Sequence, residues 1–300
     1  MAASGGQEPA PKPSIRPNDL KPRILSAIVL AAGALGSAVA GGWLFAGVWA
    51  ALSVMVYLEW FTIARSRPGS PPPGFHWSMV PGVALLAALA LAIAGALLAG
   101  WSLPAGLPWL AGLFLAFLLA VSRAGLAHRR WQASGMLYAG GLIVSMLVLR
   151  LSDSHGLVAV LALFAIVWGT DIGAYFTGRA LGGPKLAPRI SPNKTWSGFA
   201  GGLLTGIFAG MLVLRIAGLP ISFALILLCG VLALVSVAGD LFESHMKRRF
   251  GVKDSGHLIP GHGGFMDRLD AFLFAAILAA AIGLWRGGVQ NAAGGLLTSW

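Results

Sequence analysis

Nine apolar runs punctuate this chain, at residues 25–40, 44–63, 77–99, 107–121, 135–149, 156–176, 196–216, 221–239 and 269–285. Most approach the ~20 residues that an α-helix needs to cross the hydrocarbon of a bilayer, the first and fourth being short. Backbone in hydrocarbon must satisfy its own hydrogen bonds, which such a run does as a helix. Composition points the same way. Apolar residues make up 57% and charged residues 10%, against roughly 25% charged in a soluble domain. The predicted fold is all-α, a polytopic membrane bundle of about nine transmembrane helices.

Basic residues set the expected orientation. All but three of the 21 lysines and arginines fall in the N-terminal segment or in alternate connections, the exceptions being Arg150, Arg215 and Arg286. The positive-inside bias then predicts a cytoplasmic N-terminus. It also explains the formal charge of +11 by anionic lipid rather than by nucleic acid. Residues 1–20 are polar and rich in Pro, Gly and Ala, and read as a disordered cytoplasmic tail. No short apolar segment with a cleavage site follows, so a removable signal peptide is not expected. Residues 21–155 read as N-terminal transmembrane helices. Residues 156–300 read as a catalytic transmembrane region with cytoplasmic loops at 177–195 and 240–268. The single cysteine, Cys229, lies in an apolar run and reads as a small buried hydrophobe.

Charge is concentrated in one place. Of ten carboxylates, five lie between residues 240 and 270: Asp240, Glu243, Asp254, Asp267 and Asp270. Lys247, Arg248, Arg249, Lys253, Arg268 and three of six histidines lie there too. If the eighth helix continues past Asp240, then Asp240, Glu243, Ser244, Lys247 and Arg248 share one face at spacings of three and four. Asp267 and Asp270 are i, i+3 at the start of the ninth run. Carboxylates brought together from two helix ends suit a hard divalent cation. Magnesium fits best, because it takes oxygen ligands and shares its shell with substrate phosphate. No cysteine accompanies His245, His257 or His262, and no H-E-x-x-H is present, which argues against zinc. His262, within P-G-H-G-G, is the histidine kept as a substrate contact.

Two further features join this stretch. Asp171 lies in the sixth apolar run, where an aspartate is costly unless paired or functional. Glu59, near the end of the second run, has fewer polar neighbours and reads as structural. The segment 178–196 mixes Arg179, Lys185, Arg189 and Lys194 with Ser191, Asn193, Thr195 and helix-breaking Gly and Pro. It offers cations, hydroxyls and amides to a phosphate, without the G-x-x-x-x-G-K-[ST] of a Walker loop.

The run from Ser244-His-Met-Lys-Arg through Lys253-Asp254 to Pro260-Gly-His-Gly-Gly-Phe-Met-Asp-Arg-Leu-Asp270 resembles the signature of the phosphatidate cytidylyltransferases, the CDP-diacylglycerol synthases. No position between 244 and 270 departs from that pattern. Asp171-Ile-Gly-Ala-Tyr-Phe-Thr-Gly-Arg and Ser191-Pro-Asn-Lys-Thr-Trp are similar to the family's other segments. The resemblance implies an integral protein of a bacterial inner (plasma) membrane, often a homodimer, with its active site facing the cytoplasm. It implies that CTP and phosphatidic acid give CDP-diacylglycerol and pyrophosphate, with magnesium, as two ions, for cofactor. With the geometry above, it makes Asp240, Asp267 and Asp270 the metal-binding carboxylates. Lys194, Lys247, Arg248, Lys253 and Arg268 would hold phosphates of CTP or lipid, while Ser191, Asn193 and Ser244 add neutral hydrogen bonds. Asp171 and His262 would contact substrate, and Asp254 would be a further ligand or an ion-pair partner of Lys253.

Two rival readings come from other chemistry. A CDP-alcohol phosphotransferase would carry a D-G-x-x-A-R run, which is absent, and a CTP-dependent polyprenol kinase would phosphorylate its lipid instead. A transporter would place its charges near the bilayer midplane, whereas these cluster at the ends of apolar runs.

Overall fold

The computed structural model describes residues 20–66, 76–99, 119, 126–256 and 263–298. In chain order its helices are α1 (Leu20–Ala40), α2 (Gly42–Arg65), α3 (Val80–Ala99, after a 3-10 turn at Trp77–Met79), α4 (Leu126–Arg150), α5 (Gly156–Leu181), α6 (Trp196–Ile216), α7 (Phe223–Arg249), α8 (Met266–Gly287) and α9 (Ala292–Leu297). Helices α2 to α8 are long and apolar enough to cross a membrane; the apolar part of α1 is shorter, at Leu25–Ala40. The fourth apolar run, 107–121, lies outside the described residues save for Leu119, as does all of the N-terminal tail before Leu20.

Several helices outrun the apolar stretches from which they were predicted. Helix α7 has 27 residues, about 40 Å at 1.5 Å per residue, against roughly 30 Å of hydrocarbon. Its last three turns carry Asp240, Glu243, Ser244, Lys247 and Arg248, so the shared face expected for them exists. Helix α5 likewise continues past its apolar run to Leu181.

One expectation needs correcting. The bundle is not purely α: Lys185–Ala187 (β1) and Ser191–Thr195 (β2) form an antiparallel hairpin between α5 and α6. Lys185 pairs with Thr195 and Ala187 with Ser191. Pro184, Pro188 and Pro192 punctuate the segment, and proline demotes a run as a strand candidate.

Helices α5 and α6 pack most closely, and glycine is the reason. Gly198, Gly202 and Gly206 recur every four residues along α6. A Cβ on Gly202 would stand 2.7 Å from the Thr170 carbonyl oxygen, and one on Gly198 2.8 Å from that of Ala174. Only bare backbone allows this approach, the small-residue packing that membrane helices use. On the other side, Trp49 of α2 stacks against Phe164 of α5 and Phe272 of α8, at 6.2 and 5.6 Å between ring centroids. The bundle therefore fixes α5 between α6 and an aromatic core, which sets the position of Asp171.

Candidate active site

A cavity of about 490 Å3 opens between α5, the hairpin, α6 and α7. Asp171 of α5, Asn193 and Lys194 of β2 and Asp240 of α7 line it together. The sequence builds it simply. Thr195 ends β2 and caps α6, its Oγ1 accepting from the Gly198 amide at 3.1 Å. The residue before the cap is then held over α7, and Lys194 Nζ forms an ion pair with Asp240 Oδ2. Ser244, one turn along α7, donates from Oγ to Asp240 Oδ1 at 3.3 Å. Asp171 lies within electrostatic reach of Asp240, Lys194 and Arg268. At the rim, Arg179 Nη1 donates to the Tyr175 hydroxyl at 2.8 Å.

A second charged cluster ties α7 to the start of α8. Lys247 Nζ lies 2.6 Å from Glu243 Oε2 and 2.7 Å from Asp267 Oδ1. Asp267 also accepts from the Ser255 and Gly264 amides, each at 3.0 Å to Oδ2. Glu243 is fully buried, and among the described residues its Oε1 has no hydrogen-bond partner. Close crossing of the two helices brings Asp270 beside this cluster, since a Cβ on Gly239 would stand 2.6 Å from the Asp270 carbonyl oxygen. Asp270 Oδ1 accepts from the Ala271 amide at 2.8 Å, and its charge interacts with those of Asp240, Asp171 and Lys247.

The remaining predicted residues lie farther out. Ser191 opens β2, paired with Ala187. Arg248 is exposed at the end of α7, and Lys253 and Asp254 are exposed on the bend that follows. His262 lies outside the described residues. Arg268 does not join the polar cavity but lines another, of about 300 Å3, with Trp49, Phe164, Trp168, Leu269 and Phe272. Sequence reasoning left two acids without a role at the site. Glu243 was signalled by its place on the Asp240–Lys247 face. Glu59 had no comparable local signal, yet its carboxylate accepts hydrogen bonds from Ser255, Phe265 and Met266.

The donor set suits magnesium in kind. Asp240, Asp267 and Asp270 supply only oxygen, as does Asp171, and Glu243 Oε1 is a buried oxygen without a partner among the described residues. No three acidic, His or Cys side chains among the described residues approach closely enough to form a closed cage. A magnesium ion does not require one, as it binds through one or two carboxylates, with substrate phosphate and water completing its octahedron.

Known proteins resemble this chain over most of its length. The model of the Cytidylyltransferase family matches residues 21–284. A phosphatidate cytidylyltransferase of Brucella suis biovar 1 (strain 1330) is 40% identical over 269 residues, covering 89% of this chain and 94% of its own length. One from Pseudomonas aeruginosa is 36% identical over 284 residues, covering 90% and 98%. One from Bacillus subtilis (strain 168) is 43% identical over 139 residues, covering 46% of this chain and 52% of its own. With the matched region running from the start of the helical bundle into α8 and through every element that lines the polar cavity, the chain belongs to the cytidylyltransferase family.

Proposed function

We propose that this chain is a phosphatidate cytidylyltransferase, which transfers CMP from CTP to phosphatidic acid and releases pyrophosphate. The observation that carries the reading is that the Lys194–Asp240 pair and Asp171 line one polar cavity together. Cations and carboxylates at one cavity wall suit a nucleoside triphosphate whose charge is shared between lysine and metal. A phosphate oxygen of the lipid bonds to the α-phosphorus of CTP, and the α–β bridging bond breaks. A phosphomonoester is already ionised at neutral pH, so no general base is required. Lys194 and Lys247, with Arg248, Lys253 and Arg268, are the proposed phosphate partners; Asn193, Ser191, Ser244 and His262 would add hydrogen bonds. Asp240, Asp267 and Asp270 are the proposed magnesium ligands. Bound there as two ions, magnesium would neutralise charge developing on the attacking and departing oxygens.

The second cavity supports a lipid acceptor. Arg268 lines it together with aromatic and aliphatic side chains, a combination that suits an acyl chain carrying a phosphate. Phe164, Trp168 and Asp171 follow one another at spacings of four and three on α5, so the apolar and polar cavities share a helix face. The proposal extends to a homodimer in a bacterial inner membrane, with N-terminus and active site on the cytoplasmic side.

Position-specific labelling of CTP tests the reaction. The proposal predicts that phosphatidic acid acquires radioactivity from α-labelled CTP and none from γ-labelled CTP. Transfer of the γ label would establish a lipid kinase instead.

A further inference from the structure

Helix α8 begins without a cap of its own. Its N-cap residue, Phe265, makes no side-chain capping bond, and the first amides of a helix need acceptors. They find one on α2. Glu59 Oε1 accepts from the Phe265 amide at 2.9 Å, and Oε2 accepts from the Met266 amide at 2.8 Å. Oε2 also accepts from Ser255 Oγ at 2.9 Å. Glu59 is only 5% exposed. A buried carboxylate held by amides at a helix N-terminus is a strong, charge-assisted contact.

The glycines on either side fit the same purpose. A Cβ on Gly256 would stand 2.9 Å from Glu59 Oε1, and one on Gly264 2.6 Å from it. Both banks of the segment therefore close directly on the Glu59 carboxylate. Ser255 is shared, since its hydroxyl goes to Glu59 while its amide goes to Asp267. Ser255 thus links Glu59 to Asp267, which in turn pairs with Lys247.

We infer that Glu59 is a positioning residue for the reaction: from α2, it caps α8 and fixes the first turn that carries Asp267, Arg268 and Asp270. The inference rests on the cytidylyltransfer proposed above. Glutamine at this position keeps the shape but places an amide donor against donors that both oxygens now accept.

The test compares Glu59→Gln with the wild type by hydrogen exchange and by kinetics, in detergent. The expected result is faster exchange at Phe265 and Met266, with kcat lowered by about 10- to 100-fold, the usual effect of losing a partner that orients a metal or substrate ligand. CTP bound per chain falls by less than kcat, because Lys194 and Asn193 of the hairpin, which the clamp does not touch, still line the polar cavity. Ser255→Ala, which removes one of the three donors, gives the same pattern more weakly and serves if Glu59→Gln fails to fold. Unchanged exchange overturns the clamp. Unchanged kcat, or CTP binding that falls in parallel with kcat, overturns the positioning role. A wild type that makes no CDP-lipid removes the proposed function instead, while the exchange measurement still decides whether the clamp exists.

Discussion

Lys247 of α7 stands between Glu243, one turn before it on the same helix, and Asp267 at the start of α8, at 2.6 and 2.7 Å. One cation thus joins a buried and a partly buried carboxylate, and two helices. Removing one partner of a buried ion pair leaves uncompensated charge, which costs roughly 3–5 kcal/mol. Lys247→Met is expected to lower the unfolding temperature in detergent markedly. Adding Glu243→Leu to that variant should restore much of the stability without restoring activity, since the proposed phosphate partner is still missing.

The Lys194–Asp240 pair should behave in the opposite way. Both side chains are about a quarter exposed, at 26% and 28%, and pairs of that kind contribute about 0–1 kcal/mol to stability. Lys194→Ala should therefore leave thermal unfolding nearly unchanged. Its effect on turnover should be large, on the order of 100-fold, as when one preorganised donor to a developing charge is removed. Steady-state kinetics beside a melting curve check both statements.

The contact between α5 and α6 is predicted to tolerate no side chain at its centre. Gly202→Val places a branched group where even a Cβ would be 2.7 Å from the Thr170 carbonyl. Overpacking of this kind costs about 1–3 kcal/mol, and it should also displace Asp171 and reduce activity. Gly230→Ala is the control, because its Cβ would meet Ile207 at an ordinary 3.4 Å. Melting temperatures and specific activities of the two variants should separate cleanly.

In the proposed reaction the Arg268 cavity serves the lipid and not the nucleotide. Trp168→Ala removes part of its wall, and with it the apolar area that this partly buried ring offers an acyl chain, at about 25 cal/mol per Å2. The account expects KM for phosphatidic acid to rise, on the order of tenfold or more, with KM for CTP unchanged. Varying each substrate in mixed micelles at saturating levels of the other measures this directly.

Much of this site was legible in the sequence, for local reasons. Asp240, Glu243, Ser244 and Lys247 show their shared face through spacings of three and four, and the structure extends α7 far enough to use it. Lys194 was legible as a cation but not as the partner of Asp240, because that contact depends on a hairpin that prolines hide. The Glu59 clamp leaves no local trace, since Ser255 lies 196 residues from its partner. Trp49, Phe164 and Phe272 sit within apolar runs and look like any core residue. Their common cavity emerges only when three helices are brought together.

The central claim is transfer of CMP to a lipid phosphate at the carboxylate site. The most direct measurement incubates purified protein with α-labelled CTP, phosphatidic acid and magnesium, beside an Asp240→Asn variant. The account predicts label in the lipid phase that requires magnesium and is lost in the variant. Label that forms equally in the variant, or without any divalent cation, would contradict it.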